Sequence, residues 1–66
     1  MLRKHFRYEY KLSTRYPQEY EAVNFAYLQA GWKEIDFRSD DAGFPTHIIF
    51  EWPLDRPPIY PSVNWP

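Results

Sequence analysis

Two histidines, His5 and His47, are the side chains of this sequence best suited to hold a metal or move a proton near neutral pH. If the segments around them alternate as strands, both point to the same side as Glu9, Glu34, Asp36 and Glu51. That set would make a His/carboxylate metal site on an open sheet face. Such a face lacks the outer shell that orients metal ligands. Ordinary cross-strand charge pairing accounts for the same residues. Asp40 and Asp41 are adjacent, whereas an acid/base pair needs carboxylates facing each other across a cleft. Ser13, Thr14, Ser39, Thr46 and Ser62 include no Gly-x-Ser-x-Gly setting. With only Gly31 and Gly43, the chain has no glycine-rich loop to cradle a phosphate. The residues therefore predict no catalytic set, no metal and no cofactor.

The chain positioning these residues is short. Its 66 residues make one domain at most, with a core that is marginal for its surface. There is no cysteine, so neither disulfides nor thiolate metal sites can reinforce it. Aromatic mass is the substitute: 21% of residues are Phe, Trp or Tyr, each able to bury roughly 150–250 Å². No apolar run approaches the ~18 residues of a membrane span. Met1 to Arg7 is basic but is followed by no apolar stretch, which predicts a cytoplasmic protein without membrane association.

Periodicity supplies the elements. Phe6, Tyr8, Tyr10 and Leu12 alternate with Arg7, Glu9 and Lys11, which is the pattern of a half-buried strand. Pro17 suits the first turn of a helix, followed by Glu19 to complement the helix dipole. From Gln18 to Ala30, Tyr20, Val23, Tyr27 and Ala30 form one apolar stripe, flanked by Ala22, Phe25 and Ala26 and extended by Leu28. Gly31 falls where a left-handed helix-terminating residue is expected. Ile35 and Phe37 alternate with Glu34, Asp36 and Arg38 in a second strand. A polar loop containing Gly43 and Pro45 leads to a third, with Ile48, Phe50 and Trp52 inward and His47, Ile49 and Glu51 outward. The expectation is an α+β domain over residues 1–52: a β-α-β-β chain with one helix on a three-stranded, mainly antiparallel sheet. Two strand orders are open: the third strand, the most continuously apolar, at the centre and antiparallel to both others, preferred by analogy with split βαβ units, or the first and second strands paired in parallel by a right-handed crossover with the third at the edge. Residues 53–66 hold five of the seven prolines and are expected to form an extended tail.

The strand Tyr8-Glu9-Tyr10-Lys11, the Gly31-Trp32 pair after the helix, and the last strand Ile48-Ile49-Phe50 together resemble a loose group of short bacterial and phage-borne domains of unknown function. The resemblance spans about residues 6–52. Members often end the last strand with basic residues, where this chain has Glu51 and Trp52. The resemblance implies the β-α-β-β fold and no activity.

Two surfaces are candidates for interaction. Residues 1–16 carry Arg3, Lys4, Arg7, Lys11 and Arg15 against Glu9 alone, whereas the rest carries three basic residues against eight acids. The outer sheet face should thus show a basic strip of Arg3, His5, Arg7 and Lys11, a centre at Ile49 beside Glu51, and an acidic strip of Glu34 and Asp36. A two-fold stack of such faces would make a homodimer. The basic first strand, interleaved with aromatics, also raises nucleic-acid binding. That reading is weaker, because the aromatic set should face the helix and the downstream acids would repel phosphate. The second surface is the tail. Arg56-Pro57-Pro58-Ile59-Tyr60-Pro61 resembles ligands of polyproline-binding grooves, with Trp65 as a further contact. The preferred alternative is that the tail folds back over the domain's own aromatic surface, because free Ile, Tyr and Trp would be sticky. The functional expectation is a non-enzymatic binding or regulatory protein acting through a protein partner.

Overall fold

The computed structural model describes residues 6–65. The elements run β1 (Phe6–Lys11), α1 (Pro17–Ala30), β2 (Lys33–Ser39) and β3 (Pro45–Trp52). The sheet order is β1-β3-β2, and β3 is antiparallel to both neighbours. The α+β architecture and the element order are as the periodicity predicts, and of the two open strand orders the structure has the preferred one, with the third strand central. Arg3 and His5 lie outside the described residues.

Each helix end has an identifiable cause. Pro17 occupies the first turn, while Tyr16, at the N-cap, provides no side-chain cap. Glu19 acts in its place. Its carboxylate accepts hydrogen bonds from the Ser13 N–H at 2.8 Å, the Thr14 N–H at 2.7 Å and the Thr14 hydroxyl at 2.8 Å. One side chain thereby joins the first turn to the loop that enters it. At the other end Gly31 has φ 118°; its N–H donates to the Leu28 carbonyl, and the Trp32 N–H donates to the Tyr27 carbonyl. This is a Schellman termination, and the accompanying apolar contact is Trp32 on Tyr27, with ring centroids 5.9 Å apart.

The core comprises Val23, Tyr27, Trp32, Ile48, Phe50 and Trp52. Tyr8, Tyr10, Leu12, Tyr20 and Ala30 pack around it, joined by Leu54 and Val63 from the tail. The helix buries Val23 and Tyr27 but turns Phe25 and Leu28 outward, Phe25 to 66% exposure.

The second strand departs from simple alternation. Lys33 pairs with Glu51 and Glu34 with Phe50, but the next partner, of Ile49, is Asp36. Ile35 is therefore an extra residue in a β-bulge. With this insertion, the side chains before Ile35 fall on the opposite face from the one that alternation through Asp36 and Phe37 assigns. Glu34 consequently lies on the helix side, where the Tyr20 hydroxyl donates to its carboxylate at 2.6 Å. The expected acidic strip of Glu34 and Asp36 does not form. Ile35 is not a core residue, and Phe37, although in register with Ile48, is 50% exposed.

Candidate functional site: the sheet face, the end groove and the aromatic groove under the tail

On the outer sheet face, the register sets Arg7, Glu51 and Lys33 in one row. Glu9, Ile49 and Asp36 form the next, and Lys11, His47 and Arg38 the third. Each edge strand thus reads basic, acidic, basic. The expectation of one basic and one acidic strip is corrected by the bulge, which puts Lys33 rather than Glu34 on this face. The charges answer one another within the molecule. Arg38 reaches across β3 to pair with Glu9, and Arg7 lies 3.9 Å from Glu51. Among the described residues, four basic and three acidic side chains on this face leave little net field for a polyanion. Among the described residues, the face lacks the opposed strips that the stacked-dimer reading needs. His47 accepts or donates at Nδ1 with the Thr46 hydroxyl, 2.9 Å away. Among the described residues, no group of three or more His, Asp or Glu side chains could hold a metal ion.

At the end of the molecule where β1 passes into α1, the entering loop and the β2–β3 turn frame an open groove of about 330 Å³. Leu12, Tyr16, Pro17, Tyr20, Phe44 and Pro45 line it, together with the polar Thr14, Arg15 and Glu21. Local chemistry fixes both walls. The Asp40 carboxylate accepts from the Ala42 and Phe44 N–H groups at 3.0 Å, and Gly43 takes φ 89°, which shapes the turn that presents Phe44. Arg15 bridges the walls, 3.0 Å from Asp40 and 5.2 Å from the centre of the Phe44 ring. Periodicity does not reveal this groove, because Tyr16, Phe44 and Pro45 belong to segments that read only as turns. Glu19, on the buried side of the same junction, reads in sequence as a dipole partner; its deeper role depends on where the preceding loop returns.

The third feature is the aromatic cluster and the segment over it. Tyr27 is stacked between Tyr8, at 5.9 Å, and Phe50, at 4.6 Å. Trp32 meets Trp52 edge-on at 5.2 Å. Burial, reinforced by the neighbouring Tyr8 and Tyr10, raises the Tyr27 hydroxyl to about 12. Burial and the Glu34 carboxylate raise Tyr20 to about 12 as well. The tail lies back on this cluster. Trp52 donates its indole N–H to the Arg56 carbonyl at 2.7 Å, and Trp32 donates to the Ile59 carbonyl at 2.6 Å. Tyr60 sits 5.4 Å from both Tyr8 and Trp32. Pro58 and Trp65 are half-buried, whereas Arg56 and Pro57 are exposed.

No family model, curated protein or solved structure matches the chain. Among the described residues, no helix is long and apolar enough to cross a membrane.

Proposed function

We propose that this chain is a small, non-enzymatic binding or regulatory module, of the kind that serves phages or bacteria as an accessory protein, acting by occupying a surface on a protein partner. The observation that carries this reading is the groove between Tyr16 and Phe44. Its lining is mainly apolar and aromatic, with Thr14, Arg15 and Glu21 as the polar members, and aromatic residues and arginine are the types favoured at protein–protein contacts. Tyr16 is 66% and Phe44 43% exposed, so two large rings stand ready to be covered. The nucleic-acid alternative loses support because the basic side chains of the sheet face are offset by acids beside them.

The test is affinity capture from bacterial lysate with the full chain and with Tyr16→Glu and Phe44→Glu variants of verified fold. A specific protein retained by the wild type, lost with both variants and unaffected by nuclease supports the reading. Retention that nuclease abolishes, or that both variants keep unchanged, refutes the groove as the working surface. Salt-dependent binding to single-stranded DNA, lost in Arg7→Glu/Lys11→Glu, would transfer the function to the sheet face.

A further inference from the structure

The tail is seated on the domain through its backbone. Two indole N–H groups, from Trp52 and Trp32, each bond a main-chain carbonyl, those of Arg56 and Ile59. The two acceptors are three residues apart, with Pro57 and Pro58 between them. Proline locks φ and holds the residue before it extended. A polyproline II strand repeats every three residues, so carbonyls at that spacing face the same side. The two tryptophans therefore read the repeat of an extended proline-rich backbone. Tyr60 adds one ring against Tyr8 and Trp32, yet Ile59 and Tyr60 remain 52% and 57% exposed. Leu54 and Val63 add apolar contacts with the core, so recognition combines backbone shape, one aromatic contact and two aliphatic anchors, a pattern that another proline-rich segment with apolar residues at those spacings can present.

We infer that the Trp32–Trp52 groove is a binding site for an extended, proline-rich segment of a partner protein, and that residues 53–65 occupy it as an intramolecular competitor. This goes beyond the binding-module reading and uses residues that take no part in the Tyr16–Phe44 groove, so either can fail without the other. The competitor has a large advantage. It is tethered directly after Trp52, and a short tether gives an effective concentration on the order of millimolar. A partner segment must therefore bind tightly or meet a tail already loosened.

The probe is a synthetic peptide with the sequence of residues 54–66, added to the ¹⁵N-labelled full chain while the indole N–H resonances of Trp32 and Trp52 are followed. Wild type should bind it weakly. A Tyr60→Ala/Val63→Ala chain, whose tail is held less firmly, should bind it at least about tenfold tighter, because the competing closure is reduced. In that background Trp32→Phe should weaken binding about fivefold, the value of one net hydrogen bond. In the chain with an intact tail the same substitution should change the apparent affinity little, since the bond is lost equally from the tail and from the peptide. A peptide with Ala at the positions of Pro57, Pro58 and Pro61 should bind at least about fivefold more weakly, having lost its preorganised extension. If the double variant does not fold, Tyr60→Ala alone, which truncates an exposed ring, serves as the loosened chain. The inference is overturned if the indole resonances of the loosened chain stay in place at millimolar peptide, or if the Ala-substituted peptide moves them equally. A dimer of the loosened chain that the peptide dissolves would support the groove through tail exchange; one that ignores the peptide counts against it.

Discussion

Replacing Glu19 with Gln should be among the most damaging single-atom-scale changes available in this chain. The side chain is 1% exposed and its carboxylate gathers three donors from Ser13 and Thr14. An amide keeps one acceptor oxygen and turns an NH₂ toward N–H groups that need an acceptor. Hydrogen bonds to a charged group contribute about 1.5–3 kcal/mol each, and three sharing one carboxylate are not additive, so the expected loss is about 2–4 kcal/mol. Against a total of roughly 3–10 kcal/mol for a chain of this length, that is a large share. It corresponds to a fall in Tm of about 10–25 °C. The assay is urea unfolding of wild type and Glu19→Gln, followed by tryptophan fluorescence and repeated across acid pH. Burial alone pushes the Glu19 carboxyl up, but the bonds from Ser13 and Thr14 outweigh it and hold the group below its ordinary 4.5. A carboxylate with a depressed folded-state pKa contributes stability that is fully present above the unfolded value and lost as pH falls through the folded one. The gap between the two proteins should therefore be constant above about pH 5 and close only below pH 4.5. A loss under about 0.5 kcal/mol at neutral pH, below what a single net hydrogen bond contributes, would refute the account of the loop anchor. A gap that already narrows above pH 5 would show that burial, and not hydrogen bonding, sets the state of Glu19.

Three further outcomes follow from other parts of the fold. Gly31→Ala should destabilise by more than about 1 kcal/mol, because φ 118° strains an L-residue and the added Cβ would stand 3.0 Å from the Leu54 side chain and 3.2 Å from the Trp52 ring; thermal melts followed by circular dichroism measure it. Tyr20→Phe removes the donor to Glu34 and should cost about 1–2 kcal/mol in urea, with no change in the aromatic near-ultraviolet signal of the core. Tyr20 and Tyr27 ionise near 12 in the folded chain against 10.0 ordinarily, so the stability they confer is present below pH 10 and drains away between pH 10 and 12. Tyrosinate absorbance and unfolding should then rise together in that window, and early titration of all six tyrosines in a still-folded chain would contradict it.

What the sequence could reveal divides along physical lines. Aromatic alternation in β1 and β3, the helical stripe through Val23 and Tyr27, and the glycine before Trp32 are each dictated within a few residues, and each appears in the structure as expected. The centre of the sheet is also legible, because a strand buried on one face by a helix and flanked on both edges must be the most apolar. The bulge at Ile35 is not legible. A period-two pattern and the same pattern with one residue inserted cannot be distinguished until Glu34 finds Tyr20 and Asp36 finds its place beside Ile49. Turn segments are silent for a similar reason: Tyr16 and Phe44 come to line one groove where Arg15 and Asp40 pair across the two loops.

The bulge also changes what the molecule can offer a partner. With strict alternation, β2 would present Glu34 and Asp36 against a basic β1, and two such faces could dock as complementary strips. With the insertion, both edge strands carry basic, acidic and basic side chains in turn, and Arg38 is drawn across the sheet to Glu9. Charges engaged in this way have less to gain from a second chain, since each must be desolvated and separated from a neighbour before it meets a new one. The energetic opportunity shifts to groups whose present partners are weak or replaceable. Those are the exposed rings of Tyr16 and Phe44, and the two indole donors whose acceptors are backbone carbonyls of a tail that leaves Ile59 and Tyr60 exposed. A single inserted residue in β2 thus moves the search for a working surface from the charged face to the aromatic ones.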